Sequence, residues 1–420
     1  MSYSLVLKFL LFSITCIFAQ TGDFSYVEVP EPSAEAIHYH KSGNVIWAVN
    51  IILGFLIPLL FLLTGFSARI RNWAKKLGMN KWFLTVFFYF IIFSIINFFI
   101  DFPLSYYIGF FREHAYNLSN QTFIKWLTDS MNSFLVGTFI GGIFISVIYF
   151  LLKKSPERWW LYASIFMVPF MTIMMLVFPI WIAPIFNDFG PMNDKALEAK
   201  ILALAEETGI ENSRVFEVNK SIDTKKVNAY VAGFHNTKRI VLWDTIIEKL
   251  NEKELLSVMA HEMGHYALAH SIKSLLFASI MMMITFYATY RTANLFINRY
   301  KDKLGFNKFS DIASLPLLFL LMSLFQFIMT PISTAFSRYH ELEADRFSLE
   351  IMKDNHAAGM AFVKLQEENL AVPHPGWLYK IWRSSHPTLG DRINFCNNYR
   401  PWEKGEPLKY ESFFNIKSND

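Results

Sequence analysis

Six runs of apolar residues, at roughly 45–68, 82–104, 131–152, 159–185, 268–290 and 312–333, are each long enough to cross a lipid bilayer. A helix rising about 1.5 Å per residue needs about 20 apolar residues to cross a hydrocarbon core of about 30 Å. A soluble domain of 420 residues buries a core without runs of that length. The expected fold is therefore an all-α integral membrane protein. Residues 3–19 add a further apolar segment, broken by Lys8 and ending at Ala19. Residues 1–20 read either as a signal peptide or as a first transmembrane helix, so the count is six or seven spans.

Residues 21–44 read as a polar linker, 45–185 as a four-helix transmembrane region, 186–267 as a segment with a small sheet, 268–333 as two more spans, and 334–420 as a C-terminal segment. Pro58, Pro169, Pro179, Pro316 and Pro331 are expected to kink or end their helices. Asn97, Asp101 and Gln326 are expected to face the bundle interior, bonding between helices or lining a chamber.

Basic residues gather in alternate connectors: Arg69, Arg71, Lys75, Lys76 and Lys81, then Lys153, Lys154 and Arg158, then Arg291, Arg299, Lys301, Lys303 and Lys308. Alternation puts these three connectors on one face, which the positive-inside rule makes cytoplasmic, with the longer polar segments opposite. A formal net charge of +4, with no basic stripe interleaved with aromatics, gives no reason to expect a nucleic-acid partner. Of the two cysteines, Cys16 lies in the first apolar segment, so loss of that segment would leave Cys396 without an internal disulfide partner.

Within 186–267, Leu197, Ile201, Leu204 and Ala205 recur at helical spacing between Asp194 and Glu207. RVFEV (214–218), NAYVAGF (228–234) and RIVLW (239–243) read as short strands. A sheet with an open edge could accept an extended peptide as an added strand. A helix should then start at Asn251, with Glu254 in the capping-box position, and run without interruption into the fifth span.

That helix carries HEMGH at 261–265. Four residues of helix put His261 and His265 one above the other, so that two imidazoles can approach one ion, and Glu262 lies beside the first. Neutral imidazole suits zinc, and a carboxylate next to the water held by such an ion can take its proton, so Glu262 is the expected general base of a hydrolase. Catalytic zinc keeps three protein ligands and one open position, so a third ligand must come from elsewhere. SRYHELEADRFSLE (337–350) offers Glu341 and Asp345 on one helix face. By spacing Glu341 is favoured as the ligand and Asp345 as the partner for the free nitrogen of a ligating histidine, with Glu343 pointing elsewhere. His386, in SSHPTLGDRI, is the candidate to stabilise an oxyanion.

Taken together, FFREHAYNLSNQTFIKW (110–126), IAPIFNDFGPM (182–192), VNAYVAGFHNTKRIVLWDT (227–245), the HEMGH helix, SRYHELEAD (337–345) and SSHPTLGDRI (384–393) resemble the type I CaaX prenyl endopeptidases, membrane gluzincins. The resemblance covers roughly residues 45–400. It implies transmembrane helices around a water-filled chamber, capped by a zincin-like α+β catalytic domain holding one Zn2+ per chain. It also implies His261, His265 and Glu341 as ligands, Glu262 as the catalytic glutamate, Asp345 behind a ligand, Asn228 on the substrate backbone, His386 near the reaction centre and Arg392 in a structural role. The expected partners are the bilayer and a peptide or protein substrate near it. The family substrate is a prenylated CaaX protein that loses its last three residues, in an endoplasmic reticulum or bacterial inner membrane. Two alternatives stay open at this point: a quality-control metalloprotease acting on unmodified segments, and a transporter or channel with a structural zinc site.

Overall fold

The computed structural model describes residues 25–210, 213–233 and 238–414. The expected signal peptide or first span at 1–20 lies outside the described residues.

Six described helices are long and apolar enough to cross a membrane. The first, α1 (Ala34–Leu63), starts where the Ser33 hydroxyl accepts the Ala36 N–H at 3.0 Å. Residues 34–44 are thus helical instead of linker, because a good cap and helix-tolerant polar residues extend the span beyond its apolar part. A surface helix α2 (Phe66–Leu77) leads to α3 (Trp82–Tyr106), which continues through a π turn at Tyr107–Phe111 into α4 (Arg112–Ala115). Next come α5 (Phe123–Lys154), capped by Thr122, and α6 (Trp159–Val177), which passes through a π turn to Ile185. Phe99, Phe139 and Trp181 are 69%, 71% and 73% exposed on these helices. Water would not tolerate that much outward aromatic surface, whereas lipid does. The chain is an integral, multi-pass membrane protein.

Of the five prolines, Pro179 falls in the π turn at the end of α6, as expected of a helix breaker. Pro58, Pro169 and Pro331 lie inside helices that continue past them, and Pro316 occupies a first turn, where its missing N–H costs nothing. Asn97 bonds the Phe93 carbonyl of its own helix at 2.8 Å, neither bridging helices nor needing a chamber.

The basic connectors meet at one end, as alternation requires. Ser67 donates to the Ala313 carbonyl at 2.5 Å, Arg71 pairs with Asp311 at 2.5 Å, and Tyr149 bonds Ser314 at 2.8 Å. The Lys153 ammonium lies 4.8 Å from the Trp82 ring centroid. Buried Phe61, Tyr89, Tyr149, Trp159, Phe286 and Leu318 fill the bundle core around this end.

At the opposite end β1 (Phe189–Pro191), β2 (Arg214–Val218), β3 (Ala229–Ala232) and β4 (Arg239–Trp243) form a four-stranded sheet in the order β1-β2-β4-β3, with α7 (Lys195–Glu207) between β1 and β2 and the short α8 (Asp244–Lys249) after β4. Strands β2 and β4 are parallel, while β1 and β3 pair antiparallel at the two edges. Strand β1 was not expected; three residues that include Gly190 and Pro191 give no alternating pattern. Ile201, Val215, Ile240 and Leu242 pack the sheet and α7 against Leu255, Met259 and Met263 of the HEMGH helix, α9 (Glu252–Ala267). Asn251 and Glu254 form the expected reciprocal cap, at 3.1 and 2.8 Å.

The predicted uninterrupted passage from this helix into the fifth span is wrong. Helix α9 ends at Ala267, Ala269 takes a left-handed conformation (φ 54°), and α10 (His270–Leu304) starts afresh. A non-glycine residue there costs about 1–2 kcal/mol. The break swings His270 back toward His265, whereas in a continuous helix residues five apart lie on different faces.

The last span, α11 (Leu315–Met352), has 38 residues and is followed by α12 (Asn355–Glu368), α13 (Trp377–Trp382) and α14 (Leu389–Asn398). At 1.5 Å each it is about 57 Å long, well beyond a core of about 30 Å. Its final third therefore leaves the membrane region and runs beside α9. Gly264 makes this contact possible, since a methyl group on it would lie 3.1 Å from Phe347. A buried hydroxyl bond from Ser348 to the Ser257 carbonyl, at 2.7 Å, fixes the register of the two helices. Gly264→Val is expected to force them apart at a cost of about 1–3 kcal/mol. Thermal unfolding in detergent and metal content should both fall; wild-type values for both would show that close approach is unnecessary.

Candidate metal centre

The close pair of α9 and α11 brings three side chains to one point. His261 and His265 rise from α9 one turn apart, and their Nε2 atoms are 3.2 Å from each other. Glu341 of α11 faces both, with Oε2 3.3 Å from His261 Nε2 and Oε1 3.4 Å from His265 Nε2. An ion with tetrahedral ligands at about 2.0–2.1 Å would hold them about 3.3–3.4 Å apart, so these spacings match such a centre. Glu341 Oε2 is buried without a hydrogen-bond partner among the described residues. A buried oxygen in that condition is costly unless a cation completes it. The donor set and its spacing fit a metal.

Each histidine is held from behind. His261 Nδ1 donates to Asp345 Oδ1 at 2.8 Å, which leaves Nε2 with its lone pair toward the centre. Arg392, from α14 (Leu389–Asn398), grips the same carboxylate through Nε at 2.9 Å and Nη2 at 2.5 Å, and its guanidinium lies 4.0 Å from the Phe362 ring centroid. Arg392 thus braces the carboxylate that holds His261.

His265 has a partner that the sequence reading missed. Its Nδ1 is 2.9 Å from His270 Nδ1, and His270 Nε2 faces Glu343 Oε2 at 3.5 Å. Glu343 in turn accepts from Tyr410 at 3.0 Å and Lys409 at 3.1 Å. The signal was present in HEMGHYALAH, but only the break at Ala269 turns the third histidine inward. His270, His340 and Glu343 could also reach one ion. However, the His270 and His340 rings stack at 4.1 Å with 2° between their planes. Stacked rings point their lone pairs side by side instead of at a common point, so this group reads as support for His265.

A cavity of about 550 Å³ opens in front of the centre, lined by His261, Glu262, Asn228, Ala229, His386 and Arg392 among others. Burial raises the Glu262 carboxyl above its ordinary pKa, while the neighbouring histidines oppose the shift. A carboxylate poised upward in this way suits proton exchange with a water. His386 stands on the open side, half exposed, with Nε2 3.3 Å from Glu341 Oε2. Asn228 lies just before the edge strand β3; its carbonyl accepts the Trp243 N–H at 3.2 Å and its side chain accepts the Ala229 N–H at 2.9 Å. His261, Glu262, Asn228, Asp345, His386 and Arg392 thus line one cavity, with His265 and Glu341 next to His261. Asn117 and Asn120, each of which begins an Asn-X-Ser/Thr triplet, are used in packing, with Asn117 bonded to Lys225 and Asn120 donating to the Ser221 carbonyl at 3.0 Å.

A membrane-embedded helical bundle with two imidazoles and a carboxylate converging beside a glutamate-lined cavity has the make-up of a membrane metalloendopeptidase. Comparison with known proteins agrees and narrows it. Residues 191–400 match the model of peptidase family M48, and residues 31–188 match that of the CAAX prenyl protease N-terminal region, five membrane helices. The chain belongs to peptidase family M48. It is 36% identical to the uncharacterized metalloprotease YhfN of Bacillus subtilis, over 87% of this chain and 85% of that one. It is 30% identical to CAAX prenyl protease 1 of Saccharomyces cerevisiae, over 70% and 68% of the two chains. The crystal structure of S. mikatae Ste24p superposes with a TM-score of 0.75 at 26% identity, covering 86% of this chain and 87% of that chain.

Partners that orient metal-ligating histidines are worth about 10–100-fold in metal affinity. Asp345→Ala and His270→Ala are each expected to weaken metal binding by about that factor in a chelator competition assay. Unchanged affinity in the His270 variant would leave His265 oriented by its helix alone.

Proposed function

We propose that this chain is a zinc-dependent endopeptidase that removes the C-terminal tripeptide of CaaX-type prenylated substrates. The observation that carries the reading is the triangle of His261, His265 and Glu341, with edges of 3.2–3.4 Å, opening on the cavity that Glu262 faces. Two imidazoles and one carboxylate form a donor set that suits zinc, with a fourth position left for water or substrate. Bound there, zinc would supply the Lewis acidity that makes a water nucleophilic at neutral pH and polarises the scissile carbonyl.

The chain's own groups carry the proton and position the peptide. Glu262 takes the proton from the attacking water and passes it to the leaving amine, a task its raised pKa suits. His386, on the open side of the cavity, donates to the oxygen that gains negative charge. The substrate backbone extends along β3, beginning beside Asn228, in the manner of an added strand. Asp345 and His270 keep the two imidazoles in the tautomer that leaves Nε2 available.

The name and 30% identity of the yeast relative support the prenylated substrate. A second reading, cleavage of unmodified membrane-protein segments, draws on the basic connectors: the positive-inside rule makes their end cytoplasmic and puts the cavity on the other face. The Bacillus relative, by its name, is a metalloprotease without a stated substrate. The membrane itself is that of the endoplasmic reticulum or the bacterial cell, according to the source.

Glu262→Gln should keep one zinc per chain while lowering kcat by at least about 100-fold; full activity in that variant would overturn the proposed proton transfer. A farnesylated CaaX peptide and its unmodified counterpart, assayed side by side on the purified protein, separate the two substrates. Preference for the lipidated peptide is expected, and equal rates would favour the second reading.

A further inference from the structure

The cavity that holds the metal centre is also lined by two arginines with no role in the chemistry above, Arg112 and Arg383. They come from opposite ends of the sequence and converge on Gly43 of α1. A methyl group built on Gly43 would sit 3.4 Å from Arg112 Nη2 and 3.8 Å from Arg383 Nη2. The two guanidinium groups therefore flank one small space that the glycine leaves clear.

Their charges are only partly balanced locally. Buried Arg112 is fixed by the Tyr39 carbonyl at 2.6 Å and Ser42 at 3.2 Å, lies 3.6 Å over the Tyr39 ring centroid, and reaches Glu113 only at 3.4 Å. Glu113 is already shared with Lys226 at 2.7 Å. Arg383 has no carboxylate within ion-pair distance among the described residues; it donates to Asn44 and lies 4.6 Å from the Tyr379 ring centroid. Arg112 and Lys226 thus share one anion, and Arg383 has none of its own among the described residues. Burial lowers the Arg383 pKa, and the Arg112 charge acts in the same direction. Such an arrangement disfavours the empty cavity and favours an incoming anion, and planar guanidinium forks match a carboxylate.

We propose that Arg112 and Arg383 form a subsite for the free C-terminal carboxylate of the peptide substrate. This deepens the function proposed above and rests on it. A tripeptide in extended conformation spans about 10 Å. Anchoring the terminal carboxylate inside the same cavity as Glu262 makes the enzyme measure its cut from the end of the chain, which converts a general peptidase centre into one that releases a short C-terminal fragment. It requires no bond chemistry of its own, only a charge-assisted grip.

The test uses the full-length protein, purified in detergent and then in bilayers, with one peptide made twice, as the free acid and as the C-terminal amide. Wild-type kcat/KM should favour the acid by about 10-fold or more, chiefly through KM, the scale of a hydrogen-bonded charge. In Arg383→Gln the acid-to-amide ratio should collapse toward one, and Arg383→Lys should restore part of it. Zinc content and thermal unfolding check that the variants are folded and loaded. Equal cleavage of both peptides by the wild type overturns the subsite while leaving the endopeptidase intact; no zinc-dependent cleavage of either peptide overturns the underlying function instead. Repeating the assay with phosphatidylcholine and with phosphatidylglycerol vesicles addresses a lipid phosphate as the anion. If Arg383→Gln changes only the response to the anionic lipid and not the acid-to-amide ratio, the carboxylate assignment is wrong.

Discussion

The contact of α9 with α11 is the constraint on which the site depends. A helix can present His261 and His265 to one point by itself, because residues four apart share a face. It cannot supply Glu341, which lies on the last of the membrane-spanning helices. Only when Gly264 rests against Phe347 and Ser348 bonds the Ser257 carbonyl does the carboxylate arrive within 3.4 Å of both imidazoles. The length of α11 completes the geometry: the helix is anchored by the bundle at one end and carries the ligand well past the hydrocarbon core at the other.

Around that contact lies a graded set of charges. The centre itself holds two imidazoles and one carboxylate. Behind it, Asp345 is locked by Arg392, and Glu343 by Lys409 and Tyr410, so that the two carboxylates behind the histidines have fixed partners. A buried charge left alone would be strongly unfavourable, whereas a fully bonded one rigidifies its surroundings. These pairs tie the C-terminal segment to α11, so the metal centre and the fold of residues 384–414 support each other. Arg383 stands out against this pattern, being cavity-facing and without an acid within ion-pair distance among the described residues.

Much of this was legible in the sequence where the signal is local. The spans follow from apolar length alone, and the strands at 214–218 and 239–243 follow from runs of β-branched and aromatic residues between turns. The reciprocal cap at Asn251 and Glu254 and the HEMGH spacing are properties of a few neighbouring residues. What escaped reading is set by tertiary context. The start of α1 at Ala34 lies in polar sequence, and β1 is too short to show a period. The break at Ala269 has neither glycine nor proline to announce it, and without it His270 looks like an ordinary helix residue. Arg112 and Arg383 meet only because three separate elements fold onto one another around Gly43.

The central claim is that His261, His265 and Glu341 hold one zinc ion at the wall of the cavity that Glu262 faces. X-ray absorption at the zinc edge, on the full-length protein and on Glu341→Gln, tests it most directly. The account predicts one ion with two imidazole nitrogens and oxygen donors near 2.0–2.1 Å in the unaltered protein, and a changed oxygen shell with weakened retention in the variant. An identical zinc environment in both proteins, or a chain that binds no zinc stoichiometrically, would contradict it.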